Sequence, residues 1–397
     1  MTPYSSNGYF LQHKDLTMNK KLRVLYPIGF FYPAQIGGPC NTIYWMTRGL
    51  VERNIDVTAV AMNVGVEDYE IKPNTWLRTN YGKVIYLSTW NYRIGSLYVL
   101  MSIFKGLKSN VIHLTSIFAP TSVMIGIGLL FLRKSVVWSP RGELDPPVLE
   151  HKKSIKKIIL SCLKLFKSRI IFHTTCNAES SYVKLIFGKD CKIIQIPNFL
   201  ELPKKVERQE VSPYLFFIGR IHSKKAIDNL IKGLSESEEF LKSDYVLKIA
   251  GDDQNNHGTF LKNLTKKLSL EDKVHFLGHV SGQEKEQLLA NAYFMIMPSH
   301  TENFGNVVVE SLAQGTPVIA SRNTPWGLLE DKKAGYWIDN SPESLANSID
   351  QILLMGKEKY NSYRINSIQL ARNNFEIHKN IQTWVDAYQS TLLNDKK

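Results

Sequence analysis

The sequence predicts an α/β protein made of two doubly wound parallel-sheet domains that face each other across a cleft. Three observations predict it. Short β-rich runs alternate with helical patterns in both halves of the chain, and alternation of that kind implies parallel pairing through crossover helices. Residues 198–213 interrupt it with charges, prolines and little periodicity, as an interdomain linker does. The 397 residues suit two or three domains at about 150 residues each.

The elements follow in order. Residues 21–27 read as the first strand, followed by a loop with Ile36-Gly37-Gly38-Pro39. Residues 41–53 read as a helix, with Ile43, Met46 and Leu50 on one face. A strand at 55–61 comes next, and nothing is assigned from there to 110. Strands at 111–114 and 135–138 flank an apolar helix, and strands at 170–174 and 193–196 continue the pattern. In the second half, strands at 214–218, 245–250, 274–277, 294–297 and 317–320 alternate with helices at 227–234, 260–268, 284–290 and 305–314. Residues 376–393 form a last helix. The expected units are a tail at 1–20, a first domain at 21–200, a second at 201–375 and a C-terminal helix at 376–397. Ligands of such sheets bind beyond the carboxyl ends of the strands, so the cleft between the domains is the expected site.

Composition is that of an ordinary globular protein, with 44 % apolar and 21 % charged residues, which excludes wholesale disorder. Cysteines at 40, 162, 176 and 191 have no C-x-x-C spacing, so neither a disulfide framework nor a zinc site is expected, and a reducing cytoplasm is. Residues 1–17 are polar and read as no secretory leader; Met18 before Asn19-Lys20-Lys21 reads as an alternative start. The apolar run 114–132 contains Pro120 and two glycines. It reads as a buried helix, with a membrane span as the other reading. The net charge is +13. Residues 1–200 carry 25 Lys and Arg against 11 Asp and Glu, whereas residues 201–397 carry 24 against 25. The whole excess sits in the first half, which calls for an anionic partner there.

The strongest chemical signal is His300-Thr301-Glu302-Asn303-Phe304-Gly305-Asn306-Val307-Val308-Val309-Glu310. It follows a strand, so Glu302 stands at the carboxyl edge of the sheet. Gly305, Asn306 and Val307 then offer amides at a helix N-terminus, a ready anion site. Glu310, one or two turns in, suits the hydroxyl pair of a ribose. An N-terminal acid complementing the helix dipole is the other reading of Glu302. A second signal is Gly219-Arg220-Ile221-His222-Ser223-Lys224-Lys225, again after a strand. Arg220 and Lys225 suit a diphosphate, or else form a solvated basic loop. The Gly37-Gly38 loop is not a G-x-G-x-x-G fingerprint and alone is equally a tight turn.

Together these motifs resemble the retaining glycosyltransferases of family 4, over roughly residues 21–390. Glu302 and Glu310 match that family's Glu-x7-Glu signature, Arg220 and Lys225 its phosphate pair, and Gly37 and Gly38 its N-terminal Gly-Gly loop. Pro197-Asn198 stands where the family commonly has a Pro-Asn pair. The resemblance implies a GT-B fold of two Rossmann-like domains. It implies that Glu302 lies near the donor sugar and that Asn303, Phe304 and Gly305 shape its pocket. It further implies that Asn306 and Val307 meet sugar or phosphate, that Glu310 holds the ribose, and that His279 and Val280 edge the base. Two departures stand out. The family usually has Lys-Gly where this chain has Lys225-Ala226, a small change if the helix has already begun there. Many relatives have a histidine where Ser139-Pro140-Arg141-Gly142-Glu143-Leu144-Asp145 places Arg141. Arg141 acts at the transferred sugar or forms a salt bridge to Glu143 or Asp145.

No Asp-x-Asp occurs, so no obligate metal and no cofactor are expected; the substrate is a nucleotide-sugar such as a UDP- or GDP-sugar. Arg220, Lys225 and helix amides would stabilise the leaving diphosphate. Residues 150–169 combine Ile155, Ile158, Ile159, Cys162, Leu163 and Phe166 at helical spacing with Lys152, Lys153, Lys156 and Lys157. This helix docks on an anionic membrane surface, or packs its apolar stripe inward and solvates its basic face. Nucleic acid is not an expected partner, because no binding module accompanies the charge. The expected function is a cytoplasmic, membrane-peripheral transferase acting on a lipid-linked or glycan acceptor in cell-surface glycan synthesis. A sugar-nucleotide epimerase of the same fold and a non-catalytic sugar-nucleotide-binding subunit are the alternatives.

Overall fold

The computed structural model describes residues 22–34, 38–89, 95–150, 152–209, 213–253 and 256–394. The tail at 1–20 and Gly37 lie outside the described residues. The first half contains β1 (Arg23–Ile28), α1 (Gly38–Glu52), β2 (Asp56–Met62), β3 (Trp76–Thr79), β4 (Gly82–Leu87), α2 (Ser96–Lys108), β5 (Val111–Thr115) and α3 (Pro120–Phe131). It continues with β6 (Val136–Ser139), α4 (Pro146–Glu150), α5 (Lys153–Lys164), β7 (Ile170–Thr174), α6 (Asn177–Phe187) and β8 (Lys192–Gln195). Its eight strands form one sheet in the order β3-β4-β2-β1-β5-β6-β7-β8. All pairs are parallel except the β3–β4 hairpin.

The second half contains β9 (Tyr214–Ile218), α7 (Ile227–Glu236), α8 (Glu238–Lys242), β10 (Val246–Ala250), α9 (His257–Lys267), β11 (Val274–Gly278), α10 (Gly282–Asn291) and β12 (Phe294–Met297). Then come α11 (Asn306–Ala313), β13 (Val318–Ser321), α12 (Leu328–Asp331), β14 (Gly335–Ile338), α13 (Pro342–Leu353), α14 (Lys357–Asn374) and α15 (Ile377–Asn394). Its sheet is wholly parallel, in the order β11-β10-β9-β12-β13-β14. The order reverses between β9 and β12, which is where a doubly wound sheet opens a ligand crevice.

Each sheet has an apolar core on both faces. On the first sheet, Ile43, Met46 and Leu50 of α1 share one core with Ile381, Trp384 and Tyr388 of α15. Tyr98, Val99, Leu129, Leu163 and Val183, from α2, α3, α5 and α6, share the other. The last helix therefore packs back on the first sheet. The chain crosses between the halves twice at one place: Leu200 donates its N–H to Phe375 O at 2.9 Å, and Ile377 donates to Leu200 O at 2.9 Å.

A buried polar chain fastens α15 to that sheet. Its direction can be worked out from one end, because a carbonyl only accepts. His173 Nε2 donates to Ile196 O (2.9 Å), so its Nδ1 accepts from Ser139 Oγ (2.7 Å). Ser139 in turn accepts from His113 Nε2 (2.6 Å), and His113 Nδ1 accepts from Tyr388 (2.6 Å), which accepts from Tyr26 (2.7 Å). Both imidazoles are neutral in this arrangement. Burial holds His113 well below the ordinary imidazole range and pushes His173 down to about 3, with Arg141 adding to both. Satisfied in this way, the chain avoids the penalty of about 1–3 kcal/mol for each unpaired buried polar group.

The structure adds elements not assigned from the sequence: β3, β4 and α2 between 62 and 110, α4 and α6 later in the first half, and α8, α12, β14, α13 and α14 in the second. The apolar run 114–132 does contain the expected helix, buried on its inner face at Ile125, Leu129 and Leu130, but that helix is shorter than the run. The run is the end of β5, a loop and the twelve residues of α3, and no described helix is long and apolar enough to cross a membrane.

Candidate active site

The loops after β9 and β12 leave neighbouring strands at the crevice of the second sheet. One carries Arg220 and Lys225, the other Glu302, and Lys225 Nζ bonds Glu302 Oε2. From the first domain come Arg141 after β6 and Glu179 on α6. Arg141, Arg220, Lys225, Glu302 and Asn303 surround one cavity of about 330 Å3 between the domains. Lys224 and His222 add further basic groups to its wall; burial holds His222 below the ordinary range, with Lys224 next in effect.

Gly305 makes the entry to α11 possible. Its φ is +81°, a left-handed conformation that glycine adopts readily, and a Cβ there would sit 2.9 Å from Met297 Sδ. The turn aims the first amides of α11 out of the sheet's carboxyl edge. Gly38, the first residue of α1, stands opposite: a Cβ on it would lie 3.8 Å from Asn306 Nδ2.

The 301–306 loop is tied to the first domain. Thr175 Oγ1 donates to Asn303 O (3.0 Å), and Thr301 bonds Asp145. Asn198 Nδ2 donates to Asn306 Oδ1 (3.1 Å), and Asn306 Nδ2 donates to Thr42 Oγ1 (3.3 Å). Arg141 Nη1 donates to Asn198 Oδ1 (2.7 Å), while its Nε and Nη2 are buried with no partner among the described residues. Burial lowers the Arg141 pKa from its usual high value, with Glu179 opposing. Burial raises Glu179, although Gly142 N and Thr175 N each donate to it at 2.8 Å.

Several placements differ from expectation. Arg141 pairs with neither Glu143 nor Asp145. Glu143 accepts from Ser116 Oγ and Ile117 N, both at 2.6 Å, and Asp145 is taken by Thr301. Phe304 turns away from the cavity into the second core, against Trp326 and Phe375; an apolar ring gains more there than in a polar cleft. Val280 is buried in the same core. Glu310, His279 and Val280 do not line the cavity. Glu310 is held by Lys285 of α10, with 3.1 Å to each oxygen, and His279 Nδ1 lies 3.0 Å from Asp252 Oδ1. Gly219 closes β9, its N–H on Ala250 O (3.0 Å), and Val307 is half-buried in the first turn of α11. Ala226 is not yet helical: it has φ +49° and precedes α7. α5, the helix expected to dock on a membrane or to pack a single apolar stripe inward, does not present such an inward stripe. Ile155 and Ile158 are exposed and only Leu163 is buried. Lys152 and Lys157 are exposed, Lys153 pairs with Glu150 at 3.0 Å, and Lys156 turns inward to Val148 O.

Sequence reasoning missed Asn198, Lys285, Thr175 and Glu179 as parts of the site. Asn198 alone carried a signal, the Pro-Asn pair. Lys285 sits in an ordinary charged helix, Gln283-Glu284-Lys285-Glu286, with nothing to mark it.

Comparison with known proteins bears on the fold and on the second half of the chain. Residues 198–370 match the family described as glycosyl transferases group 1. An uncharacterised glycosyltransferase of Methanocaldococcus jannaschii is 32 % identical over 149 residues, 36 % of this chain and 37 % of the relative. The O-antigen chain mannosyltransferase RfbU of Salmonella typhimurium is 31 % identical over 130 residues, 33 % of this chain and 35 % of the relative. The chain thus spans little more than a third of these curated relatives. Among solved structures, sucrose-phosphate synthase from Thermosynechococcus elongatus superposes with a TM-score of 0.73 at 17 % identity, covering 94 % of this chain and 100 % of that one. HepE from Anabaena, in complex with UDP and glucose, superposes with a TM-score of 0.71 at 16 % identity, covering 93 % and 100 %. These establish the GT-B fold.

Proposed function

We propose that this protein is a retaining glycosyltransferase that moves a hexosyl group from a nucleotide-sugar to a lipid-linked or polysaccharide acceptor in cell-surface glycan synthesis. One observation carries the reading: Arg220 and Lys225 meet Glu302 at a cavity that Arg141 closes from the other domain. Cations at the carboxyl end of β9 suit a diphosphate, Arg by paired hydrogen bonds and Lys as a point charge. The amides of Asn306 and Val307 at the start of α11 add positive potential. The UDP held by the Anabaena structure supports a nucleotide donor, and the Salmonella mannosyltransferase supports a surface-glycan role.

In this reading the bond between the anomeric carbon and the phosphate oxygen breaks as the acceptor hydroxyl oxygen bonds the same carbon on the same face. The acceptor proton passes to the departing phosphate oxygen. Arg220 and Lys225 stabilise the diphosphate charge in place of a metal, a preorganised electrostatic contribution. Glu302 positions the sugar and releases Lys225 to the phosphate. It is not assigned as a covalent nucleophile: retaining hydrolases use a pair of carboxylates, and the other acids at the cavity are engaged by the protein, Glu179 by Gly142 N and Thr175 N and Asp145 by Thr301. Glu310, oriented by Lys285, takes the ribose hydroxyls, with His279 beside the base. The exposed lysines of α5 hold the protein at the inner face of the membrane.

The test is release of nucleoside diphosphate from a panel of UDP- and GDP-sugars, with and without a lipid extract of glycan-producing cells and with EDTA present. Acceptor-dependent release, with the anomeric configuration kept in the product, supports the reading. Donor binding with neither transfer nor slow hydrolysis points to a non-catalytic subunit, and a changed sugar without acceptor points to an epimerase.

A further inference from the structure

The helices on the outer side of the first sheet carry large apolar residues where a solvated layer would be polar. The outer stripe of α2 is Leu97, Leu100, Phe104 and Leu107, all exposed, while Tyr98, Val99, Ser102 and Gly106 face inward. A surface helix of a soluble protein normally shows a charged or polar outer face. The neighbouring helices repeat the anomaly: Phe131 at the end of α3, and Ile155 and Ile158 on α5, are each more than half exposed.

These helices form one continuous layer. Gly106 of α2 lies so close to α3 that a Cβ would sit 2.6 Å from Leu129, and Gly128 of α3 lies as near to Ile103. Phe131 then stacks edge-on against Phe166, just past α5, at 5.0 Å. α2, α3 and α5 contain no Asp or Glu. Their charges are Lys105, Lys108, Lys157 and Lys164 and their like, and Lys108 Nζ sits 4.3 Å over the Phe104 ring.

We infer that the whole α2–α3–α5 layer, and not the α5 lysines alone, is a docking face for a bilayer containing anionic lipid. Contiguous exposed apolar area of this kind marks an interaction surface. The charge decides which one. Protein interfaces are depleted in lysine at their centres, and a second copy of this face would bring like charges together. At a bilayer, lysine stems lie among apolar groups while the ammonium reaches the headgroups. Crossover helices run antiparallel to their strands, so the N-termini of α2, α3 and α5 lie at the same edge as the cleft. Val148 of α4, just before α5, already lines the cavity. A bilayer on this face therefore brings a lipid-borne acceptor to the cleft from the side. The inference rests on the membrane part of the proposed function and extends it.

Flotation of the full chain with vesicles of phosphatidylcholine, alone or mixed with phosphatidylglycerol, tests it. The wild type floats with the mixed vesicles and not with phosphatidylcholine alone. The triple variant L100S/F104S/L107S, which changes no charge, loses about tenfold in vesicle partitioning, from the apolar area removed. If that variant melts early, F131S carries the same expectation in the neighbouring helix. Wild-type flotation of both variants, alongside lost flotation of K152Q/K153Q/K157Q, overturns the inference but leaves the α5 docking helix standing. A wild type that does not float with mixed vesicles overturns both.

Discussion

Lys225 and Glu302, 77 positions apart, bond across the loops that leave β9 and β12, the two strands between which the second sheet reverses its order. Each has only about a fifth of its side chain exposed. The pair predicts unequal variants. K225A removes a phosphate contact, so nucleotide affinity and transfer both fall. E302Q releases Lys225, so nucleotide affinity is kept while transfer falls. R220A, K225A and E302A each lose about a hundredfold or more in transfer with unchanged melting. Steady-state kinetics beside isothermal titration with the nucleotide separates these outcomes; wild-type activity in all three removes the site assignment.

Glu310 presents a carboxylate fixed by Lys285 at 3.1 Å on each oxygen. If it holds the ribose, E310A weakens nucleoside diphosphate binding about tenfold, the loss of one charge-assisted hydrogen bond. The same variant no longer separates a ribonucleotide from its 2′-deoxy analogue. Equal discrimination by wild type and variant returns Glu310 to a purely structural partner of Lys285.

Ala226 occupies a left-handed conformation, φ +49°, ψ +37°, with its side chain fully buried. That region costs a residue with a Cβ about 1–2 kcal/mol, offset in part by the greater unfolded-state freedom of glycine. A226G therefore stabilises the protein by about 0.5–1 kcal/mol, read as a higher urea midpoint at constant slope. A lower midpoint contradicts this account of the position.

Ala226 also shows where sequence reasoning stopped. The departure from the family's Lys-Gly was visible, but its meaning depended on whether α7 had already begun, a matter of one residue. The alternation of strands and helices was legible because the buried parallel strands are short β-branched and aromatic runs, such as Tyr214-Leu215-Phe216-Phe217-Ile218. α2 was not assigned: its apolar residues lie on both faces, Leu97, Leu100, Phe104 and Leu107 outward and Tyr98 and Val99 inward, so no single buried stripe stands out. Glu302, Arg220 and Lys225 were legible as motif residues on loops after strands. Asn198 was legible only as half of a Pro-Asn pair, and Thr175 and Glu179 not at all, because these residues act on partners about a hundred positions away or through the backbone of the Arg141 loop, and only the closed arrangement of the two domains brings those together.

His173 is neutral in the folded protein, held down to about 3 by burial, whereas an unfolded imidazole titrates near 6.5. Between those values the unfolded state binds the extra proton. The stabilisation is complete above about pH 6.5 and is lost as pH falls, by about 2 kcal/mol from this group at pH 5. Urea unfolding at pH 7.5 and pH 5 measures the loss, and H173Q shows a smaller one. Because the chain runs through Tyr388, hydrogen exchange in α15 rises first; a pH-independent midpoint contradicts the neutral assignment.

On the proposed assignment, the crevice between β9 and β12 takes a nucleoside diphosphate on Arg220 and Lys225. Thermal unfolding with UDP, GDP, ADP and CMP in the presence of EDTA tests it most directly, since a ligand that binds only the native state must raise the melting temperature. At about a hundred times its dissociation constant the ligand adds about 2.7 kcal/mol, a shift of a few degrees. Such a shift is expected with one nucleoside diphosphate and is abolished in R220A/K225A. No shift with any of the four, or a shift the double variant keeps, contradicts it.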